Sequence, residues 1–103
     1  MKDPFEFTPR QDNLLTQLAE EAAEIVLAVA KIKRFGLLDV YNGKTNQEKL
    51  NLELDDLQCL RMMLTEEGMI TKPFNTDNIR TKREKVEKWM DYSLKPTTVL
   101  GDN

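Results

Sequence analysis

Four acidic side chains stand where a helical protein would be expected to place apolar ones. Beyond Thr8-Pro9, the residues Leu14, Leu18, Ile25, Ala28 and Ile32 recur at three- and four-residue spacing. Wound at about 100° per residue they form one apolar stripe. Glu21 falls in the middle of that stripe and Glu24 at its margin. Further along, Leu50, Leu57, Leu60 and Leu64 repeat the pattern, with Glu53 at the missing position and Asp56 three residues on. Acids at i, i+3 project from one face of a helix, so each stripe carries a carboxylate pair. Glu20 and Asp55 lie well off the stripe centres and read as solvated surface.

Four ionised carboxylates facing a packing interface repel one another and lose hydration, and a lone buried acid tends to protonate. Two arrangements relieve this: basic partners in the same core, or a divalent cation. The one base within the second stripe is Arg61, about two helical turns from Glu53. A hard cation such as Mg²⁺ takes oxygen ligands, typically carboxylates together with retained waters and substrate phosphates. A single Glu-x-x-Glu is more often a solvated face than a ligand pair. The coincidence of two such pairs inside two apolar stripes strengthens the case for a cation and leaves the solvated-face reading open.

The elements that must position these acids follow from punctuation. Thr8, Pro9 and Gln11 form a capping-box start, and the first helix runs to Phe35 and stops at Gly36. A linker over 36–44 holds Leu37, Leu38, Val40 and Tyr41, apolar enough to be expected to pack, and an Asn42-Gly43 turn. Thr45 to Glu48 repeats the capping-box spacing and opens a second helix ending near Gly68. A third helix is expected from Thr76 or Asp77 to about Leu94, before Pro96. No strand-like alternation is evident. The expectation is an all-α domain over 8–94, a helical hairpin plus a third helix, completing a four-helix core by homo-oligomerisation, between tails at 1–7 and 95–103.

Composition narrows the chemistry. With 103 residues, 40% hydrophobic and 32% charged, the chain suits one small globular domain. Its 18 acidic and 15 basic residues give a net charge of −3, which argues against general nucleic-acid coating. The absence of histidine excludes Ser-His-Asp and Cys-His catalysis and His-ligated zinc. One cysteine, Cys59, excludes an intrachain disulfide framework and fits a reducing compartment; it reads as a small buried hydrophobe. No apolar run approaches the ~20 residues of a membrane span, so a cytoplasmic protein without membrane association is expected.

Glu20-Glu21-Ala22-Ala23-Glu24, followed after 28 intervening residues by Glu53-Leu54-Asp55-Asp56, resembles the signature of MazG-type all-α nucleoside triphosphate pyrophosphohydrolases. The resemblance spans roughly Leu14 to Leu64. It extends more loosely to Lys82-Arg83-Glu84-Lys85-Val86-Glu87-Lys88 and Tyr92-Ser93, which look like the basic closing helix of short, phage-encoded members. It implies that Glu21, Glu24, Glu53 and Asp56 ligate Mg²⁺, with Mn²⁺ as a substitute, and that an NTP or dNTP is cleaved to monophosphate and pyrophosphate. Glu20 or Glu24 would take the proton of the attacking water. It also implies a homodimer or homotetramer.

Among the bases, Lys31 lies two turns beyond Glu24, and Lys82 and Lys85 lie one turn apart on the third helix; each can reach a phosphate or be plain solvated surface. Trp89, with Ile79, Val86 and Met90, reads as core. Helix 2 carries a second apolar group, Leu52, Cys59 and Met63, about 90° from its stripe, which a three-helix chain leaves bare and self-association would cover. The alternative to an enzyme is a non-catalytic helical interaction or regulatory module whose acids are degenerate or bind a structural cation.

Overall fold

Two capping boxes fix where the long helices begin in the computed structural model, which describes residue 3, residues 6–71 and residues 74–93, the side chains of 91–93 excepted. At the start of α1 (Pro9–Phe35), the Gln11 amide donates to Thr8 Oγ1 at 3.1 Å and the Thr8 amide donates to Gln11 Oε1 at 3.1 Å. At the start of α2 (Asn46–Glu66), the reciprocal bonds join Thr45 and Glu48 at 3.0 and 2.8 Å. Each box satisfies two backbone donors that a helix start leaves open. Gly36 ends α1 with φ 92°. Past α2, Gly68 has φ 73°, its amide donates to Thr65 O, and the Met69 amide donates to Leu64 O, both at 3.0 Å. These are the two bonds of a Schellman close, and Met69 packs on the Leu64 cluster as that motif favours.

Between the helices lies a ribbon that the sequence pattern did not announce. β1 (Val40–Tyr41) pairs antiparallel with β2 (Lys44–Thr45), Val40 opposite Thr45 and Tyr41 opposite Lys44. The expected Asn42-Gly43 turn closes it, with φ 53° and 79°, the positive values that a two-residue hairpin turn demands. Strands of two residues are too short for alternation to register as a pattern. The chain is thus mostly helical, with this minor sheet.

The linker was expected to pack through its apolar side chains, and it does not. Leu37, Leu38, Val40 and Tyr41 are exposed, Leu38 by 73%. Polar bonds hold it instead. The Asn46 amide donates to Asp39 O at 3.0 Å, the Gln47 amide to Leu37 O at 2.9 Å, and the buried Asn46 side chain to Gly36 O at 2.9 Å. The ribbon is therefore pinned to the first turn of α2.

α1 and α2 pack antiparallel. The expected stripes form the seam: Leu14, Ala28, Leu60 and Leu64 are buried, and Leu18, Ile25, Ile32, Leu50 and Leu57 are half-buried. The tightest apolar cluster, Leu14 with Leu60 and Leu64, lies at the open end of the hairpin, where Arg10 Nε also meets Glu67 Oε2 at 2.8 Å. No helix among the described residues is long and apolar enough to cross a membrane.

The chain divides into two units, Met1–Pro73 and Phe74–Asn103. In the second, α3 (Thr76–Ser93) is capped by Asn75 Oδ1, which accepts from the Asn78 amide at 3.0 Å. Its ion pairs are Asp77 with Arg80 and Arg83 with Glu87. Ile79, Val86, Trp89 and Met90 were expected as core but are exposed, Trp89 by 68%. Their spacing gives α3 an apolar face. The expected helix end at Leu94, Pro96 and the 95–103 tail lie outside the described residues.

Asn46→Ala removes a buried donor and leaves the Gly36 carbonyl without its partner. Urea unfolding should show a loss of about 1–3 kcal/mol. Asn51→Ala, on the exposed side of the same helix, should stay within about 0.5 kcal/mol of wild type.

Candidate metal centre

Glu21, at the middle of α1, meets Glu53 and Asp56 of α2 across the seam. One carboxylate oxygen from each lies within 4.8 Å of the others. Their surroundings differ: Glu53 is 3% exposed, Glu21 half-buried and Asp56 exposed. The stripe register accounts for this. Glu21 and Glu53 each replace a seam residue, while Asp56 stands one turn along at the groove's edge.

The seam also supplies a base, from outside the apolar stripe. Lys49 Nζ reaches Glu53 Oε2 at 2.9 Å, one turn earlier on α2. The i, i+4 Lys-to-Glu spacing was present in the sequence and was the signal that would have found it. Arg61 had been the only candidate because Lys49 lies off the apolar stripe; its long, half-exposed side chain bridges that angle. Basic relief is therefore real but partial, with one lysine facing four acids.

The remaining charge is managed by a proton. Glu21 is raised from 4.5 to about 7, first by its hydrogen bond with Glu53, then by burial, then by the charges of Glu53, Asp56 and Glu24. Glu53 moves the other way, held below the usual carboxylate range by hydrogen bonds from Glu21 and then from Lys49. Glu53 in turn holds the Lys49 ammonium above its ordinary value. The most deeply buried acid thus favours its charged form, through Glu21 first and Lys49 second, while Glu21 holds its proton to higher pH than an ordinary carboxylate.

Around these groups opens a groove of about 440 Å³, lined by Gln17, Glu20, Glu21, Glu24, Lys49, Glu53, Asp56, Cys59, Leu60 and Met63. Glu20 and Glu24, the expected proton acceptors, are both exposed on its wall. Glu24, also expected as a ligand, stands beside the triad rather than within it. Cys59 is exposed in the groove, not buried as expected, with its Sγ 3.9 Å from Met63 Sδ. Its place in the second apolar group of α2, a face that the chain's own helices leave bare, was legible. Lys31 lines a neighbouring cavity that shares Glu24 and Lys49 with the groove. Lys82 and Lys85 are exposed on α3, in the second unit.

The donor set suits a hard cation. All three converging atoms are carboxylate oxygens, and beyond the proton that Glu21 shares with Glu53, buried Glu21 Oε2 meets no hydrogen-bond partner among the described residues. A divalent ion would satisfy that oxygen and displace the shared proton. Compared with protein-family models, curated proteins and solved structures, the chain gives no match.

The sign of the pH dependence follows from Glu21. Its folded value lies above its unfolded one, so its contribution is fully present below 4.5 and is lost as pH rises through about 7. Glu53 and Glu48, both lowered, contribute above their unfolded values and lose that contribution in acid. Between about pH 5 and pH 8 the metal-free protein should therefore melt at falling temperature, and Glu21→Gln should flatten that slope. Thermal melts in a chelator across this range check it; an unchanged slope in Glu21→Gln would remove Glu21 from the titration.

Proposed function

We propose that this chain is a Mg²⁺-dependent nucleoside triphosphate pyrophosphohydrolase of the MazG-like type, converting an NTP or dNTP to its monophosphate and pyrophosphate. The observation that carries the reading is the convergence of Glu21, Glu53 and Asp56, with one buried oxygen unpartnered beyond the shared proton, in an open groove. The order of acids along the two helices, Glu-Glu-x-x-Glu then Glu-x-x-Asp, supports it independently.

In this reading Glu21, Glu53 and Asp56 would hold the ion, with Glu24 completing the set from the groove wall. Once bound, the ion would supply charge neutralisation for the phosphates and a water of lowered pKa. Lys49 keeps Glu53 ionised and so ready to ligate. Glu21 gives up its proton on metal binding. Glu20, exposed on the same wall, accepts the proton of the attacking water as the phosphoanhydride bond breaks.

Self-association belongs to the same proposal. Val26 and Leu27 on α1, Leu52 and Met62 on α2, and Trp89 on α3 are exposed large apolar side chains. A homodimer or homotetramer would bury such surfaces. Sedimentation at micromolar concentration should give a species of at least twice the monomer mass; a stable monomer would count against it.

One observation favours the other reading, a non-catalytic helical module. Lys49 and the Glu21 proton together settle much of the acid charge without any metal. A screen of the common NTPs and dNTPs, with and without Mg²⁺ and scored for pyrophosphate, separates the two. The enzyme reading expects Mg²⁺-dependent release, reduced by about two orders of magnitude or more in Glu53→Gln. Millimolar Mg²⁺ should also raise the wild-type melting temperature by mass action. A Mg²⁺-stabilised protein that hydrolyses none of these nucleotides is the module.

A further inference from the structure

Two cavities of opposite character share a wall. Beside the acidic groove lies a pocket of about 390 Å³ beneath the β1–β2 turn, and Glu24 and Lys49 line both. Three of the pocket's lining residues are lysines, Lys31, Lys44 and Lys49, and only Glu24 is acidic. We propose that this pocket is a pyrophosphate subsite, in which Lys31, Lys44 and Lys49 hold the two terminal phosphates of a triphosphate whose metal-binding end lies in the acidic groove. This rests on the hydrolase reading above and extends it to residues outside the acid signature.

Lys31 and Lys44 are available, and all three lysines are pre-positioned. Among the described residues, neither Lys31 nor Lys44 is in an ion pair with a carboxylate. Lys31 Nζ instead lies 5.0 Å from the centre of the Tyr41 ring, a cation–π contact that steadies the ammonium without neutralising it. Tyr41 stands opposite Lys44 in the ribbon, so the hairpin turn sets the spacing of Lys44 from the ring that holds Lys31. The ribbon is fastened to α2 by the Asn46 and Gln47 bonds, one turn before Lys49. All three ammonium groups are thus carried on elements tied to one another.

The helix start contributes little directly. The Asn46, Gln47 and Glu48 amides donate to Asp39 O, Leu37 O and Thr45 Oγ1. No amide of that turn is left to cradle a phosphate, so anion recognition falls to the lysines, with the helix dipole assisting. Lys49 joins the two sites, touching Glu53 on one side and the pocket on the other. A polyphosphate can therefore run from carboxylate-held metal to lysine-held phosphate along one continuous surface. Tyr41 is already faced by Lys31, which argues against a stacked base as the occupant.

Calorimetric titration of the full chain with inorganic pyrophosphate, in Mg²⁺ and separately in a chelator, tests the subsite. The variants are Lys31→Gln with Lys44→Gln, and Lys33→Gln as a control on the exposed last turn of α1. The double variant should bind pyrophosphate about tenfold or more weakly in both buffers. It should keep the wild-type melting temperature and Mg²⁺ response, and Lys33→Gln should match wild type. Equal pyrophosphate affinity in wild type and double variant overturns the subsite, as does competition by an unphosphorylated nucleoside, which would make the pocket a base site. Loss of the Mg²⁺ response in wild type would instead defeat the metal reading, while chelator-buffer binding that depends on Lys31 and Lys44 would still support the subsite.

Discussion

The approach of Glu21 to Glu53 across the α1–α2 seam is the constraint around which the first unit is arranged. Two carboxylates in a helix interface are tolerated only when one charge is paired and the other removed. Lys49 pairs the first, and a raised pKa lets a proton neutralise the second as pH falls through about 7. Both solutions keep the seam closed while leaving the acids chemically open. An aliphatic pair at these positions would pack more simply and leave no site.

The cost of that arrangement is met at the two ends of the hairpin. At the open end, Leu14, Leu60 and Leu64 supply the apolar burial, closed off by the Met69 turn and the Arg10–Glu67 ion pair. At the linker end, the work falls to Asn46 and the backbone bonds around it. The acid centre between them contributes geometry more than stability. The groove stays open beside it, because the α2 side chains flanking the seam, Cys59 among them, meet no cover from α1.

Much of this was legible in the sequence because it is local or periodic. The Thr8 and Thr45 capping boxes, the Gly36 stop and the Asn42-Gly43 turn are fixed by neighbours within a few residues. The stripes that contain Glu21 and Glu53 are fixed by helical period. What periodicity cannot carry is what lies opposite each face. Cys59, Trp89 and the linker leucines have the right hydrophobicity for burial, but burial depends on a partner surface, which no single helix encodes. Lys49 escaped for another reason: a flexible side chain can act a full 100° or so from its own Cα, so a base outside the stripe served an acid within it. The ribbon escaped because two paired residues are below the length at which a pattern exists.

The order of contacts along the hairpin has a kinetic meaning. Asn46 meets Gly36 across only ten residues, the acid pair closes a longer loop, and Leu14 with Leu64 closes the longest. Loop-closure entropy rises with that separation, so the seam is most readily zipped from the linker toward the open end. On that route the like charges meet before the main apolar cluster rewards the closure. The Lys49–Glu53 pair lies within α2 itself and needs only that helix to exist. The chain therefore carries its counter-charge into the encounter already in place, rather than having to find it there.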